Sequence, residues 1–193
     1  MDKKSQRQKI IQIRKSIDHH KKKEFNQQIT NKTIKLINNI KPKIVAVYLS
    51  TSNEVDTKNI ITNLIKQNIS IVVPKLHPFT TGFLLFQRYN CDTKIIHKLN
   101  IKEPELELKN VVPINKIDVF LIPLVSFDDQ GNRMGMGKGC FDKTLFDVND
   151  NVYKIGLSFA EQEVEQVQTD YWDVPLDYII TQEKTFIIEE KNK

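Results

Sequence analysis

The chain is organised around VFLIP at residues 119–123 and FDDQGNRMGMGKGCFD at residues 127–142. The first run is continuously apolar until its proline, as in a strand that is buried on both faces. The second run holds four of the six glycines in the chain, interleaved with Arg133 and Lys138. Glycine lets a ligand approach the backbone closely, so this composition predicts an anion-cradling loop between an inner strand and a helix.

Strands and helices are predicted to alternate on both sides of this stretch. Apolar runs predict strands at residues 44–49, 69–73, 152–157 and 178–180, and another at 83–86 that pairs antiparallel with a neighbour near Ile95 and Ile96. Three- and four-residue apolar spacing predicts helices at about 5–17 and 22–40 and another that carries Ile60, Ile61, Leu64 and Ile65. Residues 141–146 are interpreted as the start of the helix that follows the glycine stretch. This alternation predicts an open, mainly parallel α/β sheet in three layers, with ligands outside the carboxyl ends of the strands.

Prolines set several of the expected boundaries. Pro42 ends the second helix, Pro74 is expected to stop the strand at residues 69–73, and residues 100–104 are expected to form a turn. No repeat or linker divides the sequence, so we expect one domain over residues 1–193. It would consist of amino-terminal helices at residues 1–41 and an α/β core at residues 42–190.

The composition points to a globular protein, with 39% hydrophobic and 27% charged residues. No apolar run approaches the roughly 20 residues of a membrane span, and the first residues lack the apolar core of a signal peptide. A cytoplasmic protein without a membrane partner is therefore expected, and separately we expect it to be a monomer. The two cysteines, Cys91 and Cys140, have no zinc-ligand spacing and are interpreted as free thiols.

Positive charge is concentrated at the amino terminus, where residues 1–23 hold nine Lys or Arg against two Asp. This distribution favours a polyanionic partner, although a solvated helix face would explain it too. A nucleic-acid-binding module is one alternative, but no RRM, KH or helix-turn-helix signature supports it, so no nucleic-acid partner is expected. A sugar-phosphate isomerase-like enzyme, whose glycine loop binds one phosphate without ATP, is another. The glycine spacing fits neither a P-loop nor a dinucleotide fingerprint.

Four ordered segments resemble one family. GNRMGMGKGCFD at residues 131–142 is similar to the signature GxRLGxG(K/G)GYYD of the 5-formyltetrahydrofolate cyclo-ligases, also called methenyltetrahydrofolate synthetases. EVDT at residues 54–57, IKEP at 101–104 and DVPLD at 173–177 resemble further segments of that family in the same order. Cys140 and Phe141 stand where the signature has two tyrosines, so any hydroxyl contribution from those positions is missing.

The resemblance implies a fold and a reaction. The fold is a Rossmann-like sheet of the NagB/RpiA/CoA transferase-like type. The reaction is the Mg²⁺- and ATP-dependent cyclisation of 5-formyltetrahydrofolate, in some cases polyglutamylated, to 5,10-methenyltetrahydrofolate with release of ADP and phosphate. Phosphorylation of the formyl oxygen would activate it as a leaving group, and N10 would then attack the same carbon. Positioning and charge neutralisation are the main tasks of such a protein.

The resemblance also implies site residues. Arg133 and Lys138 would be catalytic contacts to phosphate. The ATP-binding set comprises Lys9, Arg14, Arg133, Gly135, Met136, Gly137, Lys138, Gly139, Cys140 and Phe141. The substrate-binding set comprises Leu49, Glu54 and Met136. The Mg²⁺ carboxylates would be Asp142 and Asp173.

Each of these residues also has a purely structural interpretation. Arg133 and Lys138 could be solvated loop charges, and Glu54 could be another. Asp142 could be an acid favoured by the helix dipole, and Asp173 could cap a turn. The sequence favours packing roles for Trp172 and Phe141 over ligand stacking.

Overall fold

The computed structural model describes residues 2–98 and 101–188. These residues form four α-helices: α1 (Lys3–Ser16), α2 (His19–Ile40), α3 (Lys58–Lys66) and α4 (Cys140–Leu145). Short 3₁₀ helices lie at Leu108–Asn110, Ile114–Lys116 and Ala160–Gln162. Asp2 and Asp18 cap α1 and α2, because their carboxylates accept backbone N–H groups of the first turn. Among the helices described, none has the length and apolar composition that a membrane span requires.

Twelve strands are described. They are β1 (Ile44–Val47), β2 (Ser70–Leu76), β3 (Leu84–Arg88), β4 (Ile95–Lys98), β5 (Ile101–Pro104), β6 (Val111–Val112), β7 (Val119–Pro123), β8 (Ser126–Phe127), β9 (Arg133–Met134), β10 (Tyr153–Leu157), β11 (Tyr178–Ile180) and β12 (Thr185–Ile187). Eight of them form the main sheet in the order β12-β11-β10-β7-β1-β2-β3-β6. The five strands from β11 to β2 are mutually parallel, whereas β12, on one side, and β3, on the other, run antiparallel to their neighbours.

The two faces of the sheet bury separate apolar clusters. On β1, Val45 and Val47 belong to the cluster that contains Ile37 of α2 and Leu64 of α3. Ala46, between them, belongs to the cluster that contains Leu145 of α4. Because successive side chains of a strand point to opposite faces, α2 and α3 cover one face and α4 covers the other. The three-layer, mainly parallel α/β architecture predicted from the sequence is therefore confirmed.

The prediction that Pro74 stops the second strand was wrong. β2 runs through Pro74 to Leu76, and Pro74 is paired with Phe86 of β3. The described pairing between β2 and β1 ends at Val72, so Pro74 lies where that side of the strand requires no ladder hydrogen bond. A proline is tolerated at such a position because it has no N–H to donate.

The expected pairing of β3 and the expected turn at residues 100–104 were also wrong. β3 pairs with β2 and β6, whereas β4 pairs with β5 in a separate antiparallel hairpin. The part of the expected turn at residue 100 lies outside the described residues. Glu103 of β5 is buried, and its carboxylate accepts from Leu76 N at 3.2 Å and from Lys75 Nζ at 3.4 Å. These contacts attach the hairpin to β2, and such long-range contacts have no signature in local periodicity.

Candidate functional site

The candidate site lies where the sheet changes direction. From β1 the chain crosses through α3 to β2 on one side, and from β7 it proceeds to β10 on the other side. Crossovers that leave in opposite directions open a crevice at the carboxyl ends of the two strands, here β1 and β7. The glycine-rich stretch follows β7 after a small hairpin formed by β8 and β9. The sequence predicted the loop at this edge but not the hairpin.

A buried aspartate builds the turn of that hairpin. Asp128 is 1% exposed, and its Oδ1 accepts from the backbone N–H groups of Gln130 at 3.1 Å and Asn132 at 3.0 Å. Gly131, in the same turn, has φ +82°, and a Cβ there would lie 2.7 Å from the carbonyl oxygen of Leu176. The turn therefore requires glycine, and it fixes the position of Arg133 at the start of β9.

The glycine loop itself presents open backbone. Gly137 and Gly139 have φ values of +96° and +62°, which favour glycine. A Cβ built at Gly135 or Gly139 would meet nothing within 4 Å, whereas at Gly137 it would lie 3.2 Å from the guanidinium carbon of Arg7. The space beside the loop is therefore available to a ligand, and the guanidinium of Arg7 lies on one side of it.

Arg133 and Asp142 join the hairpin to α4 through a buried ion pair. Nη2 of Arg133 lies 2.6 Å from Oδ1 of Asp142, and the two side chains are 4% and 21% exposed. Arg133 Nη1 donates to the carbonyl oxygen of Val174, and Val174 N donates to the same Oδ1 at 3.2 Å. Burial lowers the pKa of Arg133, while the Asp142 carboxylate opposes that shift.

The second predicted metal carboxylate, Asp173, lies on the turn at residues 170–173. Nζ of Lys3 is 2.5 Å from Oδ2 of Asp170 and 3.5 Å from Oδ2 of Asp173. The hydrogen bond to Asp170 raises the pKa of Lys3. Asp142, Asp173 and Asp170 line the same cleft, of about 200 Å³, as the glycine loop. The hydrogen bonds that Asp142 accepts from Arg133 and Val174 both fall on Oδ1, so Oδ2 is the oxygen of this carboxylate that could contact a cation.

One face of α1 covers this cleft. Lys3, Arg7, Ile10 and Arg14 recur at four-, three- and four-residue spacing and so share a face. Nε of Arg7 donates to the carbonyl oxygen of Gly135 at 2.9 Å, and both Lys3 and Arg7 line the cleft. Lys9 is exposed on another side of the helix. Helical periodicity alone could have shown that Arg7, and not Lys9, lies on the same face of α1 as Arg14.

Arg14 lies near Glu54, a predicted substrate-binding residue, and is not among the residues that line the cleft. Its guanidinium is buried, Nη1 donates to Leu124 O at 3.3 Å, and Nε has no hydrogen-bond partner among the described residues. Burial lowers the pKa of Arg14, and the charge of Glu54 opposes that shift. Oε2 of Glu54 accepts from Thr51 N at 2.8 Å, which fixes the loop after β1. Leu49, in the same segment, is half-buried against the core.

The remaining predicted residues lie at the loop surface and at the start of α4. Lys138 and Met136 are exposed, and Lys138 is not among the residues that line the cleft. Phe141 packs against the cluster beneath α4, which supports a structural role. Burial raises the pKa of the Cys140 thiol. The cleft thus brings together Arg133, Asp142, Asp173 and the glycines at 135, 137 and 139, but not Lys9.

A larger groove, of about 520 Å³, lies at the opposite edge of the sheet. It is lined by cations that include Lys43, Arg88 and Lys116, and by the carboxylate of Asp118. Oδ2 of Asp118 accepts the backbone N–H of Lys43 at 2.7 Å and holds the start of β1. This groove borders the amino ends of β1 and β7, where parallel sheets do not usually bind ligands, so it is not the candidate site.

Fold and cleft together define a class: a three-layer α/β protein with a cationic glycine loop, suited to a phosphate-bearing ligand, at the switch point of its parallel sheet. Within that class the chain belongs to the 5-formyltetrahydrofolate cyclo-ligase family, whose model matches residues 1–182.

Named relatives and solved structures agree with this membership. The chain is 40% identical to the 5-formyltetrahydrofolate cyclo-ligase of Haemophilus influenzae over 88% of this chain and 92% of the relative, and 34% identical to that of Escherichia coli over 92% and 98%. A 5,10-methenyltetrahydrofolate synthetase from Mycoplasma pneumoniae superposes with a TM-score of 0.78 at 29% identity, covering 95% of this chain and 100% of that structure. The synthetase from Aquifex aeolicus gives 0.83 at 25% identity, covering 100% and 96%.

Proposed function

We propose that this chain uses ATP and Mg²⁺ to convert 5-formyltetrahydrofolate to 5,10-methenyltetrahydrofolate, ADP and phosphate. The observation that carries the proposal is the convergence of a glycine loop, the buried cation Arg133 and the carboxylates of Asp142 and Asp173 on one cleft. Family membership supports the overall reaction, and the composition of the cleft supports a polyphosphate co-substrate.

The chemistry explains why such a cleft is useful. The formyl oxygen of the substrate is a poor leaving group until it receives the γ-phosphoryl group of ATP, with ADP departing. Attack by N10 on the formyl carbon closes the ring, N10 releases its proton, and the C–O bond breaks to release phosphate. The γ-phosphoryl oxygens carry negative charge throughout the first step, so fixed cations and backbone N–H donors lower its barrier.

Four cations are suited to the phosphates, three that line the cleft and one on the glycine loop. Both Nη atoms of Arg133 donate to protein acceptors, Val174 O and Asp142, so the guanidinium is held in place, and its remaining N–H groups can bind phosphate oxygens with little loss of side-chain freedom. Arg7 lies beside Gly137, and Lys3 lines the same cleft. The exposed Lys138 would approach as a mobile point charge from the loop.

The residues present also fit a magnesium ion. Asp142 and Asp173 supply two carboxylates on one cleft, and Mg²⁺ commonly takes one or two protein carboxylates and retains several waters. No group of three His, Cys, Asp or Glu side chains that would form a full protein cage occurs in the described residues. Bound Mg²⁺ would neutralise charge on the phosphate oxygens, and Asp142 and Asp173 would hold it there.

The folate would lie towards the loop after β1. Glu54 is only partly buried, and it is fixed by Thr51, so its carboxylate can accept N–H groups of a pterin-like ring from a defined position. Leu49 offers apolar surface in the same segment, and the exposed Met136 lies on the glycine loop. Arg14, whose buried guanidinium interacts electrostatically with Glu54, adds a positive charge beside this segment.

The direct test is to incubate the purified protein with 5-formyltetrahydrofolate and Mg-ATP and to record the near-ultraviolet absorbance of the methenyl product. Product formation that requires both ATP and a divalent metal is expected. Omitting ATP separates this proposal from an isomerase-like activity, which needs none. Absence of product under all metal conditions would reject the proposal.

A further inference from the structure

The turn that carries Asp173 is held in place at both ends. Asp173 N donates to Asp170 O at 3.0 Å, and Asp170 N donates to Oδ2 of Asp173 at 2.8 Å. Nζ of Lys3, from α1, contacts the carboxylates of both aspartates. The conformation of the turn is therefore fixed independently of its two central residues.

Those central residues are both aromatic and exposed. Tyr171 is 89% exposed and Trp172 is 47% exposed, and their rings form an edge-on pair with centroids 4.5 Å apart. Neither belongs to the two apolar clusters of the core, so the packing role expected for Trp172 is not observed. Central turn positions favour small or polar residues. These two large rings therefore leave apolar surface exposed at a fixed turn beside the cleft.

Trp172 is placed beside the phosphate-binding part of the cleft. It lines the cleft together with Gly135, Gly137 and Arg7, and it is the single aromatic side chain to do so in the chain segments that the structure describes. A nucleoside triphosphate with its phosphates on the glycine loop must place its base against a neighbouring surface. An indole ring is suited to stack on a purine, because both present a flat π-face.

We propose that the indole of Trp172 is the stacking surface for the adenine ring of ATP. The proposal rests on the proposed function, since it requires ATP in this cleft. Tyr171 braces the indole edge-on, and Lys3 holds the turn. One turn thereby presents both the base contact, Trp172, and the proposed metal carboxylate, Asp173. Base and phosphate chain are positioned relative to each other by one rigid element.

Tryptophan fluorescence reports on Trp172 alone, because it is the only tryptophan in the sequence. Titrating the protein with Mg-ATP is expected to change the tryptophan fluorescence saturably. Mg-tripolyphosphate, which has no base, is expected to reverse that change by competition without producing one itself. If Mg-ATP leaves the fluorescence unchanged while tripolyphosphate still inhibits turnover, the phosphate site stands and the stacking proposal is wrong.

Steady-state kinetics provide the second readout. Trp172→Ala is expected to raise the KM for ATP about tenfold, the size of one base–aromatic stack, with little change in kcat or in the KM for the folate. Trp172→Phe should restore most of the affinity, and Tyr171→Ala, the matched control in the same turn, should have a smaller effect. An unchanged KM for ATP in an active Trp172→Ala enzyme would overturn the proposal. If the unmodified protein forms no methenyl product but its fluorescence responds to ATP, the proposed function is rejected, whereas the proposed contact of Trp172 with the base is retained.

Discussion

Asp142 accepts a 2.6 Å hydrogen bond from Nη2 of Arg133, and the arginine side chain in this pair is only 4% exposed. The cation proposed for phosphate and the carboxylate proposed for magnesium therefore orient each other before any ligand binds. If the arginine were buried without this carboxylate, the folded state would be strongly destabilised. The pair thus serves both the stability of the fold and the preorganisation of the site.

Replacing Arg133 should therefore affect both properties. Arg133→Ala leaves the Asp142 carboxylate without its cation, and we expect the free energy of unfolding to fall by about 3 kcal/mol. Arg133→Lys retains a charge but loses the fork, so its stability should fall less while kcat/KM still falls roughly a hundredfold. Urea denaturation and the chromophore assay measure the two effects. Arg88→Ala, at an exposed arginine, is the control, and equal destabilisation by it would contradict this account.

The two proposed metal carboxylates are expected to set the magnesium requirement. Asp142→Asn and Asp173→Asn keep the side-chain size but remove one negative charge each, so more Mg²⁺ should be needed for half-maximal activity. The measurement is a magnesium titration at saturating ATP and folate. Asp147→Asn changes an exposed aspartate just beyond α4 and should leave the titration unchanged. A variant at Asp142 that titrates like this control would remove that residue from the metal site.

Arg7 and Lys9 test the two assignments for the cation of α1. Arg7 contacts Gly135 and lines the cleft, so Arg7→Ala should raise the KM for ATP at least tenfold, as expected for a charged hydrogen bond to phosphate. Lys9 was favoured by the sequence but is exposed elsewhere on the helix, and Lys9→Ala should have a smaller effect. The reverse order of effects would favour the sequence-based assignment.

Cys140 should be the less reactive of the two thiols. Burial raises its pKa, and only the thiolate reacts, so near neutral pH less of it is reactive than for an unperturbed cysteine. Iodoacetamide followed by mass spectrometry should show Cys91, which is exposed, alkylated first. The rate at Cys140 should increase as the pH is raised towards its pKa, and Mg-ATP should slow it further. In urea the two rates should converge; faster labelling of Cys140 in the native protein would contradict the expectation.

Local patterns predicted most of the parallel core correctly and failed at its margins. β7, β10 and β11 were located within a residue or so because apolar runs bounded by prolines and polar residues are specific for buried strands. The partners of β3 and the β4–β5 hairpin were assigned incorrectly. Pairing between edge strands depends on contacts such as that of Lys75 with Glu103, which are distant in sequence and have no periodic signal.

The sequence by itself determined the alternation of strands and helices, the glycine loop and the order of family segments, because period, turn chemistry and spacing are local properties. It also identified Arg133, Asp142 and Asp173 as candidates. Only the tertiary structure decided that Arg133 and Asp142 are paired, that Arg7 rather than Lys9 lies over the loop, and that Trp172 faces the cleft. Those relationships depend on how α1 and the turn at residues 170–173 pack together, and packing joins residues more than 160 positions apart, as in the contact of Lys3 with Asp170.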